Sequence, residues 1–346
     1  MNLKLTAVVV SVVMGSSCSG SATPSTAPSI APPQTTSPSS EAPQPTPTST
    51  NRVRTQVALV TAELRDELVV MSVPGGKVLR RIHVAHDPKT VASGPGGPVA
   101  VVSPGSGAVT VFGRGLQRVA VFDSFRSPQL ATFTADGEYL LVTDADAGTL
   151  TSIELANMRI VGHVAVGAGA HHLATSPDRR RAWVALGETA DTLVMVDITD
   201  PRHMRVVRRV HPAAAAHDLA FSPDGREVWV SSASEPYVSV YGAASGRLVD
   251  TIPAGRPPQH VVFAAERAYI TSGYGSSVEM VAPATRRVLR RAELPYGSFN
   301  LASAGPWLVV TSVLNGEVTV LRASTLRRGA ETKVATAARS VAVLSR

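Results

Sequence analysis

The chain has 346 residues, of which 44% are hydrophobic and 17% charged, with a formal net charge of +7. That composition supports a sizeable core and excludes global disorder, while a single cysteine, Cys18, excludes an internal disulfide framework and any Cys-cluster metal or iron–sulfur site. The longest apolar run lies near the N-terminus and is too short to cross a bilayer as a helix, which excludes an integral membrane protein of that kind.

The chain opens with a short basic start, Met1 to Lys4. Leu5 to Met14 follows, ten residues of which half are valine, and then the small residues Gly15-Ser16-Ser17 before Cys18. This is the three-part layout of a secretory signal. It resembles a bacterial lipoprotein signal, which implies that Cys18 is lipidated and tethers the protein to a membrane face without spanning it. The alternative is an ordinary signal cut near Ala22, with Cys18 discarded and the protein secreted. Ser19 to Thr50 holds eight prolines, many Ser and Thr, and one charge, Glu41. Such a stretch cannot bury a core and reads as an extended, disordered spacer. The expected organisation is therefore a signal over 1–18, a linker over 19–50 and a folded domain over 51–346.

Within that domain one pattern recurs. The clearest copy begins at His217. Leu219–Phe221 is followed by the turn Ser222-Pro223-Asp224-Gly225, then by apolar segments at Val228–Val230, Tyr237–Tyr241 and Leu248–Ile252. Each segment is short, β-branched or alternating, and bounded by turn residues, which predicts a four-stranded antiparallel meander. First-strand starts fall at Val91, Leu130, Leu173, Leu219, Val261, Leu301 and Val341. Second strands recur at Val57, Val99, Tyr139, Ala182, Val228, Ala268 and Leu308. Repeats of about 40 residues, seven in number, predict an all-β, seven-bladed β-propeller of four-stranded blades.

The order of strands adds a prediction about closure. The chain enters the fold on a second-type strand at Val57 and leaves on a first-type strand at Val341–Leu344. The C-terminal strand should therefore complete the N-terminal blade. Arginine pairs such as Arg80-Arg81, Arg208-Arg209 and Arg290-Arg291 fall on fourth strands, where charge guards an open edge.

Ser222–Gly255 resembles the YVTN-repeat family of β-propellers. Ser176-Pro177-Asp178 with Leu193–Asp197, and Asp136–Thr143 with Gly148–Ile153, resemble further copies of the same unit. The resemblance implies the propeller architecture. It leaves function open, because such propellers include binding proteins, lactonase-like enzymes and metal or haem enzymes. A covalent haem would need Cys-x-x-Cys-His, which this sequence lacks.

Propellers bind at the mouth of the central channel, where connections enter the innermost strands. Aligned copies place one polar residue per blade there: Thr90, Gln129, His172, Asp218, His260, Asn300 and Ser340. The preceding column holds Lys89, Pro128, His171, His217, Gln259, Phe299 and Arg339. Four of the nine histidines fall in these two columns. His171, His172, His217, Asp218 and His260 come from three successive repeats and should be neighbours. Imidazoles with a carboxylate form a ligand set for zinc or copper. The other reading of the same histidines, which the resemblance to YVTN-type repeats favours, is as groups that hydrogen-bond to a neighbouring blade's turn.

The reading these features favour is an extracytoplasmic, lipid-anchored scaffold that binds through its channel mouth without turnover. Its partner there would be a small molecule, a metal or a protein, and export argues against nucleic acid. A monomer is expected. One alternative is a metal-binding or metal-delivery protein that uses the His/Asp cluster with a divalent ion. Another is a lactonase-like or lyase-like enzyme. No Gly-x-Ser-x-Gly elbow is present, and Asp218 is the best acidic candidate for a lactonase-like metal site. Ser272–Gly275 reads as a turn, and Trp183 and Trp229 as packing between blades.

Overall fold

The computed structural model describes residues 56–345, so the expected signal, the linker and Cys18 lie outside the described residues. Seven four-stranded antiparallel sheets make up the domain. Each is one blade, and its strands follow one another in chain order except in blade 1. There Ala338–Ser345 pairs with Gln56–Ala62, which in turn pairs with Glu67–Val73, with Val78–His83 outermost. The predicted closure of the N-terminal blade by the C-terminal strand is present.

The first strands are Ala338–Ser345 in blade 1, Thr90–Ser93 in blade 2 and Pro128–Phe133 in blade 3. Those of blades 4 to 7 are Ala170–Thr175, Ala216–Phe221, Val261–Ala264 and Ser298–Ala304. Each touches the first strand of the next blade, and the seventh touches that of blade 1. These contacts close the ring and place the first strands around the channel.

The burial pattern explains the valine-rich sequence. Second and third strands, such as Val99–Ser103 and Ala108–Phe112, are buried along their whole length. Both faces of these strands meet a neighbouring sheet, so their residues are apolar runs rather than half-polar alternations. Trp183 and Trp229 are fully buried between blades, and Trp229 meets Phe263 edge-on at 5.0 Å. Outermost strands carry the arginines and are largely exposed, as in Arg287–Glu293. In every blade the register slips between the third and fourth strand. A bulge there twists the open edge and, with the arginines, discourages edge-to-edge pairing.

A second device fixes neighbouring blades to one another. The hydroxyls of Thr61, Thr143, Ser231, Thr271 and Thr311, on second strands, donate to backbone carbonyls of Lys89, His171, Gln259, Phe299 and Arg339 respectively. The acceptor lies 28 residues downstream in each case. These carbonyls belong to the column just ahead of the channel residues, so the mouth is anchored by the blade before it.

Candidate metal centre at the channel mouth

The residues that line the mouth are aimed by irregularities in the inner strands. In blade 4, Ala170 pairs with Leu186 and Leu173 with Val184, which leaves His171 and His172 in a bulge. In blade 5, Ala216 pairs with Ser232 and Leu219 with Val230, which leaves His217 and Asp218 in the same place. In blade 1, Arg339 and Ser340 fall between the pairs Ala338–Ala62 and Val341–Val60. A bulge breaks the alternation of side chains and lets two successive residues share a direction. That is how His171 and His172, adjacent in sequence, both line one cavity of about 450 Å³.

Six of the seven predicted channel residues line this cavity: Thr90, Gln129, His172, His260, Asn300 and Ser340. Asp218 does not. It is buried behind His260, and its Oδ2 lies 3.0 Å from His260 Nδ1 and accepts the Val261 N–H at 3.3 Å. Ser340 Oγ plays the corresponding part in blade 1, accepting the Val91 N–H at 3.3 Å. Thr90 Oγ1 donates to the Gln129 carbonyl at 3.1 Å.

The imidazoles converge. His172, His217 and His260 each offer a ring nitrogen such that all three lie within 4.8 Å of one another. The His172 ring centroid is 4.5 Å from that of His217 and 5.9 Å from that of His260. Each of the three also has a second partner. His260 Nδ1 meets Asp218, and His217 Nδ1 meets the Glu188 backbone carbonyl at 3.0 Å. His172 Nδ1 lies 3.0 Å from His171 Nδ1, and His171 Nε2 is 3.6 Å from Glu188 Oε1.

Electrostatics favour the neutral form of His172 and of His217. Burial, then the neighbouring imidazoles and Arg339, hold His172 well below the ordinary histidine pKa. Burial and His260 lower His217 as well. Burial alone would raise Asp218, but the His260 ring against it brings the carboxyl below the usual aspartate value. The His171 imidazole beside it, against the cost of burial, takes Glu188 down to about 2.

Glu188 was not among the residues singled out from sequence, although a signal for it exists. The connection between second and third strands has four residues in six blades and six residues, Gly187 to Thr192, in blade 4. The longer loop bridges to blade 5, where Ala190 and Ala216 exchange backbone hydrogen bonds at 2.8 and 2.7 Å. That bridge carries Glu188 over the mouth. The equivalent turns of blades 6 and 7 bring Tyr274 and Leu314 to the cavity. Ser272–Gly275 is thus the end of a strand and a turn, as expected, but Tyr274 is also part of the wall. His83, His86, His163, His203 and His211 stand on outer strands or loops, away from the cavity lining.

No family model matches the sequence. No curated protein matches it either. Solved structures do, at the level of fold. A functionally unknown protein from Desulfotomaculum acetoxidans superposes with a TM-score of 0.73 at 13% identity, covering 84% of this chain and 99% of that one. Apo AztD from Citrobacter koseri gives 0.67 at 11% identity, covering 84% and 98%. Hydrazine synthase from Kuenenia stuttgartiensis gives 0.64 at 18% identity, covering 77% and 98%. This chain is similar to these proteins in being a propeller.

Proposed function

We propose that the protein binds a divalent metal ion, zinc or copper, at the mouth of its channel through His172, His217 and His260. The observation that carries this reading is the convergence of three imidazoles, each already engaged at Nδ1 by another group. An imidazole whose Nδ1–H donates to a carboxylate or a carbonyl is held in the tautomer that presents Nε2 to a metal. Asp218 does this for His260, and the Glu188 carbonyl for His217. His172 donates to His171, whose other nitrogen faces the Glu188 carboxylate. Zinc bonds of about 2.1 Å require nitrogens about 3.4 Å apart. The three nitrogens, within 4.8 Å of one another, are near that spacing.

In this reading the expected ligand set falls into two layers: His172, His217 and His260 are the ligands, while His171 and Asp218 orient them. The neutral state of His172 and His217 suits ligation, since a protonated imidazole has no lone pair to offer. Three protein ligands leave further coordination positions open toward the cavity. Among the described residues Glu188 is the one carboxylate that lines the cavity, which disfavours the lactonase-like alternative with its acidic ligand set. Kinship with YVTN-repeat propellers and export with a lipid on Cys18 belong to the same proposal. The first rests on Ser222–Gly255 and the second on Leu5–Cys18.

Calorimetry on the folded domain tests the metal reading. Zn²⁺ or Cu²⁺ should give saturable heat with one ion per chain. His172→Ala with His260→Ala should weaken it by about 100-fold or more, since two of three ligand bonds are lost. No saturable heat with either ion overturns the proposal.

A further inference from the structure

The open side of the proposed metal site has two unlike walls. One is apolar. Tyr274, Phe299 and Leu314 face the same cavity as the imidazoles, and the Phe299 and Tyr274 rings meet edge-on at 5.0 Å. Tyr274 and Leu314 are 56% and 54% exposed, so the mouth leaves apolar surface in water. This wall is built into the backbone. A Cβ on Gly273 would overlap the Phe299 ring, and one on Gly297, at φ +83°, would lie 2.7 Å from Leu314 Cγ. Both side chains seat on glycines.

The other wall is cationic. Arg339 and Lys89 line the cavity from blades 1 and 2. Arg339 Nη1 is 3.2 Å from Glu63 and Nη2 is 4.0 Å from Glu188, while Lys89 is 3.8 Å from Asp87. A ligand reaching from metal to Arg339 would exchange the long, exposed contact with Glu188 for a shorter one.

Resting on the metal reading above, we propose that the loaded site takes a small carboxylate carrying an aromatic or branched apolar group. The carboxylate occupies an open metal position within reach of Arg339, and the apolar group lies against Tyr274, Phe299 and Leu314. A cavity of about 450 Å³ is of the size that holds one small organic molecule. The metal and Arg339 select the charge, and the apolar wall selects against plain acetate.

The test uses Co²⁺-loaded protein, whose visible absorption reports the coordination sphere, titrated with phenylacetate, acetate and phenethylamine. Phenylacetate should bind about tenfold or more tighter than acetate, as expected for one ring removed from water. Phenethylamine should not bind. Tyr274→Ala with Leu314→Ala should bring phenylacetate to the acetate level, while Tyr274→Phe keeps the preference. Arg339→Gln should weaken both carboxylates. Equal affinity for phenylacetate and acetate on a cobalt-loaded protein overturns this proposal and leaves the metal reading intact. A protein that takes up no Co²⁺ and gives no heat with Zn²⁺ or Cu²⁺ overturns both.

Discussion

In the proposed metal site, Asp218 and His260 are the pair on which ligand orientation turns. The carboxylate is buried with a residue exposure of 8%, accepts a backbone N–H from Val261 and lies 3.0 Å from His260 Nδ1. Asp218→Asn keeps the shape and leaves Oδ1 to accept an N–H. It removes the charge that holds Nδ1 protonated and makes Nε2 a better donor to metal. Loss of such a partner lowers metal affinity by about 10- to 100-fold. Calorimetry with Zn²⁺ on the variant should show that drop, with one ion per chain still bound. An unchanged affinity would mean that the Asp218 charge does not support His260 as a ligand. The histidine columns were legible in the sequence because repeat alignment puts them at equivalent positions. Which of the channel residues reach the cavity was not. The blade-4 bulge turns both His171 and His172 to it, whereas the blade-5 bulge turns His217 to it and leaves Asp218 buried behind His260, and the residue types on either side of His172 and Asp218 do not encode that.

The turns between first and second strands repeat one hydrogen-bond scheme. In Ser176-Pro177-Asp178, the Ser176 hydroxyl donates to Asp178 at 2.5 Å, and Asp178 accepts the Arg180 N–H at 3.0 Å. In Ser222-Pro223-Asp224 the corresponding distances are 2.6 Å and, to the Arg226 N–H, 3.1 Å. The serine hydroxyls, followed by the backbone donors, set the net lowering of both carboxyls from the ordinary 3.8. A carboxyl depressed on folding adds stability that is complete above its unfolded pKa and is lost as pH falls through its folded pKa. The melting temperature of Asp178→Asn with Asp224→Asn should therefore lie below that of wild type by a constant margin above about pH 5. That margin should shrink steadily below about pH 4. A margin that grows on acidification would contradict the assignment. These turns were readable from sequence, since Ser-Pro-Asp is a local signal. The connection Gly187–Thr192 was not, because its two extra residues sit among ordinary turn residues and act only through a bridge to blade 5.

At the scale of the molecule, the ring stands on its seam. The period of about 40 residues made the blade number readable, because each blade must bury both faces against its neighbours and so repeats the same apolar runs. The seam was readable for a simpler reason: a second-type strand begins the fold and a first-type strand ends it. In the structure Val341, Ala342 and Leu344 of the closing strand are each 7% exposed or less, and Ser340 and Arg339 tie that strand to Val91 and Glu63. Removal of 338–346 would expose those contacts and the pairing edge of Gln56–Ala62. Buried aliphatic side chains contribute about 1.5–3 kcal/mol each, so the loss approaches the whole stability of an ordinary domain, about 5–15 kcal/mol. The truncated chain should therefore be unfolded or aggregated at room temperature by circular dichroism. A circular permutant that joins 345 to 56 by a short linker and opens between Glu293 and Ser298 keeps every pairing and should melt within a few degrees of wild type. An intact melting transition in the truncated chain would show that six blades and a fragment hold the ring without the seam.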